Sequence, residues 1–189
     1  MRALLHLLKY EGMEPVASRL GEQIAAQVAA LPALPASLTV VPVPLFAAKQ
    51  SDRGYNQADL LAEAVVRAGR ARGLDWRLDR SLLRRKRATE SQAGLTARQR
   101  RVNVRGAFFV PGSRRDPARK AKADSGRVKG LDILLIDDIY TTGATARATS
   151  MALREAGATS VWVATAARAQ RLEAVPLPLA PMQEDVAFW

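Results

Sequence analysis

Ile133-Leu-Leu-Ile-Asp-Asp-Ile-Tyr-Thr-Thr-Gly-Ala-Thr145 sets an apolar run, two adjacent carboxylates and a hydroxyl- and glycine-rich turn in immediate succession. The run 131–136, rich in branched apolar side chains and bounded by turn residues, reads as a strand buried on both faces. Asp137 and Asp138 then fall at its carboxyl end. Thr141, Thr142, Gly143, Ala144 and Thr145 open an amphipathic helix that ends near Gly157. The N–H groups and hydroxyls of such a helix start converge where an anion is favoured, so a phosphate fits there. Two acids beside a phosphate repel further negative charge unless they face neutral donors, and the vicinal hydroxyls of a ribose are such donors. The ligand implied is a ribose 5-phosphate. A threonine-capped strand-to-helix turn explains part of the pattern, but a cap alone requires neither two acids nor three threonines with a glycine.

Working toward the N-terminus, Val40-Val-Pro-Val-Pro44 closes a short strand over 38–43, followed by a loop over 45–54 holding Lys49, Arg53 and Gly54. A helix over about 55–72, with Leu60, Leu61, Ala64 and Val65 on one face, comes next. Strand, basic loop and helix make a second anion site, unless the cations are the ordinary solvated residues of a polar connection. Residues 4–30 read as one or two helices interrupted near Gly12 and Pro15, with Val16, Leu20, Ile24 and Val28 spaced by four. Toward the C-terminus, strands are expected near Leu82, over 107–110 and over 159–166. Between the first two, 88–104 is polar apart from Leu95 and Val102 and reads as a mobile excursion. Residues 111–130 read as a flexible basic loop, and the proline-rich end as a tail draped over the surface or loose.

At 189 residues the chain is long enough for one full core. It has no cysteine and a single histidine, His6, so neither a disulfide framework nor a thiolate metal site can form, and no metal-binding residue is expected. No stretch reaches the roughly 18 apolar residues of a membrane span, and the N-terminus lacks a signal-peptide cleavage pattern, so a cytoplasmic protein without membrane insertion is expected. The net charge of +11 is local: residues 67–130 hold 20 Lys or Arg against 5 Asp or Glu. Such a segment attracts polyanions, whether a pyrophosphate-bearing small molecule or nucleic acid. Trp76, Phe108 and Phe109 are its only aromatic residues that could stack on bases.

The thirteen-residue stretch 133–145 resembles the phosphoribosyl pyrophosphate motif of type I phosphoribosyltransferases. Val41-Pro-Val-Pro44 with Arg53-Gly-Tyr-Asn-Gln57 narrows the resemblance to the ComF/GntX-like branch of that family. Arg85-Lys-Arg87 with Thr89, Gln92 and Leu95, then Arg101, Asn103, Val104, Gly106, Ala107 and Phe108, is similar to a further segment of that branch, and Leu7-Leu-Lys-Tyr-Glu-Gly12 to its first helix. The resemblance covers about residues 7–168. The chain departs from the branch in lacking its usual N-terminal cysteine-rich zinc module.

The resemblance implies a type I phosphoribosyltransferase-like α/β fold, a mostly parallel doubly wound sheet of about five strands with helices on both faces, as the succession of strands and helices also suggests. It divides the chain into an N-terminal helical region over 1–37 as a hood candidate, a phosphoribosyltransferase-like domain over 38–168 and a tail over 169–189. It implies binding of phosphoribosyl pyrophosphate, with Mg2+ held mainly through the ligand, and transfer of the phosphoribosyl group to an acceptor that the sequence does not name. Asp137 and Asp138 would hold the ribose hydroxyls and favour an oxocarbenium-like transition state. Thr141, Thr142, Gly143, Ala144 and Thr145 would anchor the 5-phosphate, and Lys49, Arg53 and Gly54 the pyrophosphate. Arg85, Arg87, Arg101 and Gln92 are candidates to close over the leaving group. The branch is linked to DNA uptake in competence and to DNA utilisation. That implies DNA or competence and helicase proteins as partners, with a homodimer as a further expectation. The alternative is a catalytically silent module of the same fold that binds DNA or regulates competence.

Overall fold

The computed structural model describes residues 14–45, 55–86, 99, 104–118 and 126–169. In chain order the elements are α1 (Glu14–Ala29), β1 (Ser37–Pro42), α2 (Gln57–Arg70), β2 (Asp75–Leu78), β3 (Arg84–Arg85), β4 (Phe108–Phe109), a 3-10 turn (Gly126–Val128), β5 (Asp132–Tyr140), α3 (Ala144–Glu155) and β6 (Ser160–Arg168). Four strands form a sheet in the order β2-β1-β5-β6, every neighbouring pair parallel. β3 and β4 form a separate antiparallel pair. This is the doubly wound, mostly parallel α/β class expected from the sequence.

The apolar run of β5 explains the layering. Ile133, Leu134, Leu135 and Ile136 are each at most 1% exposed, and burying each stabilises the fold by about 1.5–3 kcal/mol. Strand alternation sends them to opposite faces. Leu134 and Ile136 join Leu38, Val40 and Trp76 beneath α1 and α2, whereas Ile133 and Leu135 join Val41, Phe108, Val128 and Leu153 beneath α3 and the β3–β4 pair. The four-residue stripe of α1 behaves as read: Leu20, Ile24 and Val28 are buried. Gly21 lets α1 lie directly on α2, since a Cβ there would overlap Ala64. Over 14–29 the N-terminal helical region packs as α1 on this face of the sheet, and residues 1–13 lie outside the described residues.

Three further details differ from the sequence reading. β2 was not foreseen, because Asp-Trp-Arg-Leu is short and only Trp76 is fully buried. Trp76 and Phe108 are 0% and 1% exposed, so neither is available to stack on a base. The stretch 111–130 is folded at both ends rather than a flexible loop throughout. Ser113 is buried in a turn where its N–H bonds Val110 O, and Val128 is fully buried in the core. Residues 119–125 lie outside the described residues. Val128→Ala is accordingly expected to lower stability by about 1–3 kcal/mol, measured by urea denaturation, by the cavity it leaves. No loss would return this segment to the status of a loop.

Candidate functional site at the strand switch point

From β1 the chain steps outward to β2 on one side, and later from β5 to β6 on the other, so the winding reverses between β1 and β5. In open α/β sheets ligands bind in the crevice at the carboxyl ends of the strands at such a reversal. β1 stops here first. Its ladder to β5 ends at Pro42 beside Ile136, with a last bond from Val43 N–H to Ile136 O at 2.9 Å. β5 continues to Tyr140, paired only with β6. Asp137 and Asp138 therefore occupy the first positions past the end of β1. The sequence placed the acids at the carboxyl end of the strand, and the structure carries β5 on to Tyr140, with the acids at the step in the sheet edge.

Asp137 follows Ile133 and Leu135 in the alternation, toward the α3 face; Asp138 follows the opposite set. The Asp138 N–H donates to Asp137 Oδ1 at 3.0 Å. Burial first, and the Asp138 carboxylate second, push the Asp137 carboxyl up from 3.8 to about 8, against that backbone N–H and, more weakly, the charge of Arg85. The raised value favours the protonated form of Asp137, which donates a hydrogen bond as well as accepting one. Arg85 reaches this neighbourhood because the β3–β4 pair sets it opposite Phe108, and its guanidinium lies 5.3 Å from the centre of that ring.

The turn after β5 completes the site. Gly143 is the N-cap of α3 with φ +72°, a left-handed conformation that favours glycine, which has no side chain of its own to cap the helix. The first α3 backbone bond between residues four apart runs from Arg147 N–H to Gly143 O at 2.9 Å, and the positive end of the helix dipole lies at this start, where an anion is favoured. Thr142 Oγ1 is buried without a hydrogen-bond partner, an uncommon state for a hydroxyl. A Cβ at Gly143 would overlap the Tyr140 hydroxyl and ring, so the phenol lies directly over the turn.

A second loop is tied to the same edge. Asn56 caps α2 by accepting from Ala58 N–H at 3.2 Å and donates from Nδ2 to Val43 O at 3.1 Å. The connection between β1 and α2 therefore departs and returns beside Ile136 and the acids. Lys49, Arg53 and Gly54, expected on this connection, lie outside the described residues, as do Arg87, Gln92 and Arg101. Of the expected site, the structure brings together Asp137, Asp138, Thr141, Thr142, Gly143, Ala144, Thr145 and Arg85.

Tyr140 and Arg168 were not singled out from the sequence. They are cross-strand partners, and the Arg168 guanidinium lies 5.7 Å from the Tyr140 ring centre at the carboxyl edge. The position of Tyr140 three residues before the turn glycine was the available signal. Arg168 could be found only through the pairing of β6.

Geometry and pairing define an α/β protein with a carboxylate pair and a helix start led by glycine at its strand switch point. Comparison with known proteins then places it. Competence protein F from Haemophilus influenzae is 35% identical over 131 residues, covering 69% of this chain and 50% of that protein. DNA utilization protein YhgH from Salmonella typhi is 30% identical over 163 residues, covering 85% of this chain and 63% of that protein. The chain is a homologue of these competence and DNA utilization proteins. It spans about half to two thirds of the length of these relatives. No family model matches it. Among solved structures, a glutamine phosphoribosylpyrophosphate amidotransferase from B. subtilis, complexed with ADP and GMP, is similar over 79% of this chain and 26% of that one, with 23% identity and a TM-score of 0.46. Among the described residues no helix is long and apolar enough to cross a membrane.

Proposed function

We propose that the crevice between β1 and β5 binds phosphoribosyl pyrophosphate with Mg2+ and supports transfer of its phosphoribosyl group to an acceptor. The observation that carries this reading is the juxtaposition, within one continuous stretch of chain, of Asp137 and Asp138 at the step in the sheet edge with the start of α3 at Gly143. The α3 N–H groups and the Thr141, Thr142 and Thr145 hydroxyls would anchor the 5-phosphate, binding energy remote from the reacting carbon that fixes its orientation. The acids would hold the ribose hydroxyls and place negative charge near the anomeric carbon as pyrophosphate leaves. Lys49, Arg53 and Gly54 would meet the pyrophosphate, with Arg85, Arg87 and Arg101 closing over it.

Among the described residues no three His, Cys, Asp or Glu side chains cluster to hold a metal. The adjacent acid pair fits a magnesium ion that stays mainly on its ligand's oxygens, where it would neutralise pyrophosphate charge. A cytoplasmic setting goes with this reading. The basic segment over 67–130 and the names of the relatives favour one second reading, a module of the same fold that binds DNA without turnover.

The test is Thr142→Val. Removing a buried hydroxyl without a partner is expected to leave stability unchanged or raise it. Ribose 5-phosphate, titrated by calorimetry, is expected to bind about tenfold more weakly, about 1.4 kcal/mol. Unchanged affinity would remove the 5-phosphate from this turn.

A further inference from the structure

Among the described residues β6 ends the four-stranded sheet, and it pairs with β5 in a single register from Asp132↔Ser160 to Tyr140↔Arg168. Thr159 N–H donates to Leu131 O and Ala169 N–H to Tyr140 O, so the odd-numbered residues face β5. Alternation turns the N–H and C=O groups of Ser160, Trp162, Ala164, Ala166 and Arg168 outward. Protected edges carry lysines, prolines, bulges or a cover. Val161 through Ala167 contains no charge and no proline, and Val163 is 39% exposed. Beside this edge, β6 and α1 leave a groove of about 280 Å³ lined by Leu20, Ile24, Val28, Ala164 and Ala166, with glutamines on the α1 side.

We propose that β6 is a self-association edge, pairing antiparallel with β6 of a second copy about a two-fold axis at Ala164 and joining the two sheets into one. Length, shape and charge select this partner and this register. Ala164 is the midpoint of Ser160–Arg168, so an axis there overlaps the two strands over their whole length. It is also an outward residue, so it meets its own counterpart as a hydrogen-bonded pair. On the groove face, Ala166 falls opposite Trp162 of the second copy, and the small side chains of Ala164 and Ala166 leave room for the indole. On the other face the exposed Val163 meets Thr165 of the second copy, a cross-strand β-branched pair that favours a sheet. At the ends, Arg168 falls opposite Ser160 of the second copy, whose Oγ donates to Asp132 Oδ1 at 2.6 Å. Alternation sets Asp132, Ser160 and Arg168 on one face. Strands lie about 4.8 Å apart, so the guanidinium can reach across to that carboxylate. The two-fold axis repeats this ion pair at the other end of the seam.

The full chain, 20.5 kDa, is expected to sediment as a dimer at micromolar concentration. Ala164→Pro removes an N–H that points away from β5, a place where edge strands accept proline. It is expected to keep the fold, read by circular dichroism, and to raise the dimer dissociation constant at least tenfold. The chain has no native cysteine, so engineered ones report the register. Ala164→Cys is expected to close a disulfide between copies on oxidation, since residues paired at the axis fall within disulfide reach. Ser160→Cys and Arg168→Cys should cross-link when mixed and not when oxidised separately. Met151→Cys, on the exposed side of α3, should stay reduced. A parent that remains monomeric, a folded Ala164→Pro variant that still dimerises as the parent does, or Ala164→Cys cross-linking no better than Met151→Cys would overturn the proposal. Should the proline variant unfold, the cysteine variants decide by the same criteria.

Discussion

Asp137→Asn is expected to make the ligand-free protein more stable at pH 8 while removing its affinity for the sugar phosphate. The carboxyl is raised to about 8, first by burial and then by the neighbouring Asp138 charge. A carboxyl whose folded pKa lies above its unfolded value contributes stability that is fully present below about pH 4 and is lost as pH rises toward 8. In that window the parent protein loses up to about 1.4 kcal/mol per pH unit through this one group. Asparagine keeps the size and hydrogen-bonding capacity but has no proton to lose. The variant should match the parent near pH 4 and exceed it at pH 8 by up to about 5 kcal/mol. Urea denaturation at several pH values reads this directly. Parallel stability profiles would mean that burial and Asp138 do not load this carboxyl as described. The excess expected is the stability a site gives up by holding two acids side by side.

Gly143→Ala is the second large effect. Its φ of +72° is strained for any residue with a Cβ, and that Cβ would meet the Tyr140 phenol. The two penalties together are about 1–3 kcal/mol in stability. A turn displaced to relieve them moves the α3 start that the phosphate would meet, so affinity should fall by well over tenfold. Tyr140→Phe removes the hydroxyl but leaves the backbone strain. The double variant is therefore expected to recover part of the stability lost by Gly143→Ala. Full recovery would show that contact with the phenol, and not backbone conformation, sets the requirement for glycine. No loss in the single variant would mean the turn relaxes freely.

The central strand and the site were legible because their residues serve local needs that leave marks in sequence. Ile133-Leu-Leu-Ile136 must fill both faces of a central strand, and the acid pair and the threonine-glycine turn follow it without interruption. What escaped depends on partners distant in sequence. β2 exists because Ser37, Leu38, Thr39 and Val40 pair with it and Trp76 fills the space beside Gly69, not because Asp-Trp-Arg-Leu favours a strand. Val128 looked like part of a polar loop because a single apolar residue carries no period; its burial comes from its place beneath α3. The division of labour between the acids was also not legible. Adjacent carboxylates read as equivalent, whereas alternation separates their faces and the charge of Arg85 acts on Asp137.

The most direct test of the site is calorimetric titration of phosphoribosyl pyrophosphate with Mg2+ into the purified protein and into the Asp137→Asn, Asp138→Asn double variant. The crevice at the strand switch point predicts micromolar binding by the parent and its loss in the variant, with the variant still folded. Equal binding by both proteins, or no binding by the parent, would contradict it.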